Sequence, residues 1–425
     1  MKLISTTGRG AAAARTRLGE LISRRSAAYE RALPAARRIV DGVRRGGDPA
    51  LRRYAAQFDG LSPQAPLRIS EAEIQAGWNS ASGELRQALK AAAKNIRSFA
   101  ERQRPKEWNF APVQGLTTGQ RVRPICAVGC YVPSGRYPLP STLMMTVIPA
   151  QVAGVERIAV VSPRPAPETL AAAAMLGVKE MYRLGGAQAV AALAYGTETL
   201  ARVDKIVGPG NAFVTAAKRL VAFDCAIDML AGPTEIVVTS ETGDVAGIAA
   251  DLVAQAEHDP DALAIFITTR IDLAREVVGE VKRGVRSNKI AREAIANNGL
   301  AIVAGSIAEA RLMTNALAPE HLTVDSAEDL EWVTNAGSVF VGRDSAQPLG
   351  DYVSGPNHTL PTSGLARVRG GLSVMDFLKI VTVQEYTAAG LRALGPAGIA
   401  LAEAEGLLGH AQAIRVRGAA RRKDA

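Results

Sequence analysis

The chain has 425 residues, 50 Lys and Arg against 41 Asp and Glu for a formal charge of +9, and a composition that is 48% hydrophobic but 4% aromatic. That length exceeds what one hydrophobic core usually serves, so two or more domains are expected. The basic excess sits mostly at the two ends without aromatics to stack on bases, which argues against nucleic acid as a partner. No stretch approaches the ~20 apolar residues of a membrane span; the best, Ser141 to Val155, contains Pro149 and Gln151 and reads as a core helix.

Arg9, Arg15, Arg17, Arg24 and Arg25 give the amino terminus some of the character of a transit peptide. Glu20 and Glu30 interrupt it and no hydrophobic signal core is present, so residues 1–26 read as a solvated basic helical arm. The chain stays helical to about residue 110, with apolar spacing in Ala35 to Val43 and in Glu84 to Phe99. From Pro124 the pattern becomes strand alternating with helix. A short strand at Ile125 to Gly129 leads to a turn-rich loop, Tyr131 to Pro138, then a helix opening at Pro140-Ser141-Thr142 and a strand at Arg157 to Ser162. The rhythm repeats through helix Glu168 to Leu176, strand Glu180 to Leu184, loop Gly185-Gly186-Ala187-Gln188, strand Lys205 to Val207, loop Gly208-Pro209-Gly210-Asn211 and helix Ala212 to Val221.

Two glycine loops that follow strands and open helices offer backbone N–H groups to an anion. The dinucleotide fingerprint is incomplete, because Phe213 stands where its third glycine belongs, and such loops are also ordinary turns. A second series starts with the strand Thr234 to Thr239. Its helix from Val245 buries Val245, Ile248, Ala249, Leu252 and Ala256, with Asp251, Gln255 and His258 on an adjacent face. Strands at Leu263 to Thr268, Gly299 to Val303 and Ser338 to Val341 continue it. The expected fold class is therefore α/β, two tandem lobes with parallel sheets, and helical N- and C-terminal segments left over for packing elsewhere.

Three cysteines, Cys126, Cys130 and Cys225, cannot staple a chain this long, and a reducing cytoplasm is the natural compartment. Cys126 and Cys130 lack the second pair of a zinc ribbon and read as small buried hydrophobes. The four histidines all lie in polar motifs: Gln255-Ala256-Glu257-His258, Pro319-Glu320-His321-Leu322, Asp351 to Asn357-His358, and Glu405 to Gly409-His410. Imidazole is a common zinc ligand and titrates near neutrality, so this distribution points to metal binding and proton transfer.

These motifs, with Gly208 to Thr215 and Ala231-Gly232-Pro233-Thr234-Glu235, are similar in kind and order to those of the histidinol dehydrogenase family, from about Arg37 to Arg417. The resemblance implies an NAD- and zinc-dependent four-electron oxidation of L-histidinol through L-histidinal to L-histidine, a step of histidine biosynthesis. It implies Gln255, His258, Asp351 and His410 as ligands of one zinc per subunit, a set of N and O donors that suits the metal. Glu320 and His321 match the catalytic pair, His321 as base for the alcohol proton and Glu320 as activator of water on the aldehyde. Thr234, His358 and Glu405 would line the substrate along with His321 and the metal ligands, and Tyr131, Gln188 and Asn211 match the NAD contacts. Residues 124–235 would form the NAD-binding Rossmann-like lobe, 27–123 with 236–370 the zinc and substrate lobe, and 371–425 a dimerisation segment carrying His410 to the site of the second copy, in a homodimer with shared active sites.

The chain departs from the pattern at Ala100, where many histidinol oxidisers carry histidine after the phenylalanine, and in a short 162–168 stretch. Some relatives oxidise other small polar alcohols, including sulfonated diols, which leaves such an alcohol as the alternative substrate. A zinc hydrolase using Glu320 and His321 to activate water is the further alternative.

Overall fold

The computed structural model describes residues 1–23, 27–134, 137–242 and 244–419. Arg24 and Arg25, Gly135 and Arg136 of the loop after Tyr131, and Arg421, Arg422 and Lys423 of the tail lie outside the described residues. The strands, in chain order, are β1 (Lys2–Ser5), β2 (Trp108–Val113), β3 (Leu116–Pro124), β4 (Ala127–Tyr131), β5 (Arg157–Val161), β6 (Glu180–Tyr182), β7 (Lys205–Val207), β8 (Ala226–Ile227), β9 (Glu235–Thr239), β10 (Leu263–Thr268), β11 (Leu300–Val303), β12 (His321–Val324), β13 (Ser338–Val341) and β14 (Leu378–Tyr386).

Two compact units result, one of Met1–Gln103 with Ile125–Phe377, the other of Arg104–Pro124 with Leu378–Ala425. The large unit holds two sheets whose pairings are all parallel. One has the order β6-β5-β4-β7-β8 and the other β1-β11-β10-β9-β12-β13. Counted by appearance within each sheet, both run 3-2-1-4-5, half of a doubly wound fold, and β1 is added outside the third strand of the second sheet. Central strands of such sheets are covered on both faces, and accordingly every residue of β4 and β10 is buried.

Local sequence explains the elements that frame the site. Pro140 occupies the first turn of helix Pro140–Ala153, where its missing N–H costs nothing, and the helix is apolar on nearly every face because it is buried on nearly every face. Asn211 caps helix Ala212–Val221, its Oδ1 accepting from the N–H groups of Phe213 and Val214. Helix Val245–Ala256 buries Ile248, Ala249, Leu252, Gln255 and Ala256. It ends before His258, which lies in the bend that follows, so Gln255 and His258 are joined by a helix terminus and not by one continuous helical face.

The structure differs from expectation in four respects. Lys2–Ser5 form β1, an edge strand whose two adjacent apolar residues, Leu3 and Ile4, make too short a run to separate from the arginine-rich helix after them. His321 is the first residue of β12, a strand of four residues hidden behind Pro319. The expected helical ends contain β2, β3 and β14, which form a three-stranded antiparallel sheet in the small unit. Helices Ala27–Tyr54, Glu71–Ser80 and Gly83–Gln103, expected with the second lobe, pack instead on the helices of the first sheet. In the small unit that antiparallel sheet accompanies helices Ala388–Ala404 and Leu408–Ala419, with Gly390 seated on Gly115 so closely that neither tolerates a Cβ. Among the described residues, no helix is long and apolar enough to cross a membrane. Of the pair expected to be buried, Cys130 is, whereas Cys126, just ahead of β4, is exposed because it precedes the covered part of the strand; Cys225 is buried too.

Helix Glu71–Ser80 meets helix Pro167–Met175 at Gly77, where a Cβ would stand 2.4 Å from the Leu170 Cβ and 3.0 Å from the Ala171 nitrogen. Overpacking there, ~1–3 kcal/mol, offsets the ~1 kcal/mol that alanine gains over glycine in a helix, and because the clash includes backbone the upper end applies, so Gly77→Ala is expected to lower stability by up to about 2 kcal/mol. Urea unfolding measures it, and an unmoved midpoint would mean that the two helices separate freely at this crossing.

Candidate functional site

The C-terminal ends of β4 and β7 and the N-terminal ends of β9 and β12 open onto one cavity of about 470 Å³. In the first sheet this is the topological switch point, where ligands of open parallel sheets bind. Gly208 to Asn211 enter the wall from that side, and Thr234, His258, Glu320, His321, Asp351 and His358 from the other.

Glu320 and His321 are adjacent, and 7% and 4% exposed, so what they touch decides what they can do. The Glu320 Oε2 accepts from the Thr234 hydroxyl at 2.5 Å and from the Glu235 N–H at 2.8 Å. Burial nevertheless dominates and pushes its pKa up to about 7, against the opposing pull of His321 and these hydrogen bonds. The His321 Nδ1 lies 3.2 Å from the Glu235 carbonyl, which only accepts, so Nδ1 carries a proton; in the neutral ring the lone pair is then on Nε2, 3.7 Å from the Asp351 Oδ1. Burial works against a charged His321, but the carboxylates of Glu320 and Asp351 and the Glu235 carbonyl outweigh it and raise its pKa.

Asp351 sits in the short helix Gln347–Tyr352. Its Oδ2 accepts from the Gln347 amide at 3.0 Å, and its backbone carbonyl accepts from the His358 Nδ1 at 2.9 Å. Burial would raise its pKa; His321, His358 and Gln347 together hold it below the ordinary carboxylate value. His358 shifts the other way, lowered by burial against the opposing effect of Asp351, and its Nε2 lies 3.3 Å from the Thr142 hydroxyl. A neutral imidazole satisfies both hydrogen bonds, donating from Nδ1 to the Asp351 carbonyl and accepting on Nε2 from the Thr142 hydroxyl.

Gln255 is fully buried behind Thr234, to whose hydroxyl it donates its amide hydrogen. Its Oε1 has no hydrogen-bond partner. A buried amide oxygen costs on the order of 1–3 kcal/mol when left unpaired, so this one fits a ligand that supplies a positive partner. Among the described residues no three His, Cys, Asp or Glu side chains gather into a metal cluster. Of the expected ligands, Gln255 is an amide and His410 belongs to the small unit, which leaves His258 and Asp351 on the cavity wall. The donors present on the large unit, an unpaired amide oxygen, an imidazole and a carboxylate, fit zinc in kind.

The other expected residues are distributed as follows. Asn211 lines the cavity. Tyr131 and Gln188 are 3% and 1% exposed beneath the glycine loop. There the Tyr131 hydroxyl accepts from the Gly186 N–H and the Gln188 amide donates to Asp59. Glu405 ends helix Ala388–Ala404 and His410 lies in helix Leu408–Ala419, both exposed on the small unit. Ala100 is 3% exposed inside its helix and does not line the cavity. Thr142, Gln347 and Asp59 were not singled out from sequence. Only Gln347 had a readable signal, four residues before Asp351 on one helix.

The histidinol dehydrogenase family profile matches residues 22–418. A histidinol dehydrogenase of Methanothermobacter thermautotrophicus is 46% identical over 415 residues, 94% of this chain and 97% of that one. A histidinol dehydrogenase of Bacillus cereus is 46% identical over 392 residues, 90% and 91% of the two chains. The crystal structure of histidinol dehydrogenase from Elizabethkingia anophelis superposes with a TM-score of 0.91 at 34% identity, covering 99% of each chain. With the motifs in order, the fold shared end to end and the Glu320–His321 pair at the cavity wall, the chain belongs to the histidinol dehydrogenase family.

Proposed function

We propose that this chain oxidises L-histidinol through L-histidinal to L-histidine, using NAD and one zinc ion per subunit. The observation that carries the reading is the buried pair Glu320 and His321, neighbours in sequence whose reactive atoms are set by different partners. Gln255, His258 and Asp351, with His410, would hold the metal. When bound, zinc supplies a Lewis-acidic hold on the substrate's nitrogens, and NAD accepts a hydride in each of two steps.

His321 takes the hydroxyl proton on Nε2 as the hydride leaves the carbinol carbon. In the second step Glu320 takes a proton from water as its oxygen bonds to the aldehyde carbon, and the resulting hydrate loses the second hydride. Thr234 holds Glu320 and, with His358 and Glu405, borders the substrate; Tyr131, Gln188 and Asn211 support the cofactor side. One histidinol and one water thus give one carboxylate, two NADH and three protons. The alternative of another small alcohol drew on Ala100 and on the short 162–168 stretch; Ala100 packs inside its helix and does not line the cavity, so that residue lends it no support. The three cysteines, Cys126, Cys130 and Cys225, are all free, which supports a reducing compartment such as the cytoplasm.

Purified enzyme given limiting histidinol is expected to form two NADH per substrate by absorbance. His321→Ala is expected to slow this by a factor of about 100 or more, the scale of a positioned general base, with zinc content unchanged. Failure of the wild type to reduce NAD with histidinol would sink the proposal, and an unslowed variant would remove His321 from it.

Glu320 accepts a proton only when ionised, and burial sets that change at about 7. Aldehyde oxidation should therefore rise with pH through about 7, and below it fall roughly tenfold per unit. Glu320→Gln should erase this limb and slow histidinal oxidation more than histidinol oxidation. Equal losses with the two substrates supplied separately would assign Glu320 a role in both steps.

We infer a homodimer in which His410 completes the partner's metal site. The small unit supports it by exposing Trp108, Phe110, Ile380, Val381, Leu401 and Leu408, an apolar surface suited to a second copy. His410→Asn and His258→Asn should each lose zinc and activity, and mixed subunits should regain part of both, because one site of each heterodimer recovers a full ligand set. Heterodimers confirmed by mass but inactive would show that each site is built from a single chain.

A further inference from the structure

The loop Gly208-Pro209-Gly210-Asn211 forms the first sheet's side of the cavity, and before Asn211, which caps the next helix, it contains no side chain able to hydrogen-bond it in place. It is held from beneath by one buried ion pair. Lys218, 3% exposed on helix Ala212–Val221, donates from Nζ to the Gly208 carbonyl at 2.5 Å and to the Asp228 Oδ1 at 2.6 Å. Asp228, whose side chain is fully covered, accepts from the Gly208 N–H at 2.7 Å and from the Met229 N–H at 2.6 Å. Both polar main-chain groups of Gly208 are thus taken by the two charged partners. Gly208 has a φ of +109° and lies so close to the end of β4 that a Cβ would stand 2.2 Å from the Tyr131 carbonyl. Three residues on, Asn211 spends its Oδ1 on the helix cap, which leaves its Nδ2 as the donor available to a ligand.

Stability alone does not call for such a pair, since apolar residues of the same volume usually serve as well as a buried ion pair. What the pair provides is a fixed backbone where a loop of small residues would otherwise be free to shift. We propose that Lys218, through Asp228, is a positioning residue for the dinucleotide: it sets the height of the Gly208–Asn211 backbone against Tyr131, and with it the cofactor's seat. The proposal rests on the reading that NAD occupies this side of the cavity.

The test uses the full-length enzyme carrying Lys218→Met, and a second variant, Lys218→Met with Asp228→Asn, that leaves no uncompensated buried charge should the first fail to fold. NADH affinity by fluorescence titration and KM for NAD are expected to weaken about tenfold or more in the folded variant, the scale of lost hydrogen bonds to charged groups. KM for histidinol, kcat at saturating NAD and bound zinc should stay within about twofold. NADH affinity within about twofold of wild type, or equal losses in both KM values together with a lowered melting temperature, would overturn the proposal. If wild-type enzyme binds no NADH, the cofactor reading itself fails and takes this proposal with it.

Discussion

A carboxylate kept out of water governs the arrangement of the site. Glu320 is buried at the seam between the two sheets, and an ionised group there is tolerable only when its lone pairs are met. Thr234 and the Glu235 N–H meet one oxygen, and the Gln255 amide in turn donates to Thr234. A single chain of hydrogen bonds therefore runs from the helix carrying Gln255 to the residue that handles protons, and moving any member moves the others. The Gln255 amide is also oriented by it: with its nitrogen committed to Thr234, its oxygen has to be the atom left unpaired.

The two parallel sheets share one strand order but use it from opposite ends. The first sheet presents the C-terminal ends of β4 and β7 to the cavity, as open α/β sheets usually do. The second presents the N-terminal ends of β9 and β12. At its other end, the corresponding crevice is closed by side chains: Asp325 accepts from the Glu241 N–H at 2.7 Å and the Thr242 hydroxyl, and Glu241 accepts from the Thr269 N–H at 2.6 Å. Acceptors fill the place where a phosphate would want donors, so the second sheet carries the topology of a nucleotide fold while its usual binding edge is sealed.

Much of this was legible in the amino-acid order. Strands β4, β5, β7, β9, β10 and β13 and the helix after Asn211 follow from apolar runs punctuated by glycine and proline, because burial on both faces writes itself as an uninterrupted apolar stretch. The cavity residues were legible as motifs, since histidine beside carboxylate or amide is rare in a packed core. β12 was not, because Pro319 and the polar Glu320 and His321 mask a strand of four residues whose partners lie far away in sequence. β2, β3 and β14 were not either, since their exposed, mixed residues lack the clean alternation that a half-buried sheet shows. Lys218 and Asp228 look in sequence like any lysine and aspartate; only the fold reveals that they neutralise one another without water.

The edge strand β1 has a consequence for how the molecule comes into being. Lys2 to Ser5 lie along Leu300 to Val303, and the hydroxyl of Thr6 donates to the Glu309 carboxylate across 303 positions of chain. During synthesis Lys2 to Ser5 emerge about 300 residues ahead of their partner strand and must wait for it unpaired. The entropy of closing so long a loop grows only logarithmically with its length, so the cost is modest, but the delay is not shortened by it. The arginine-rich stretch after β1 gives that waiting segment charge, which keeps it dissolved and discourages pairing with another nascent chain at its open edge.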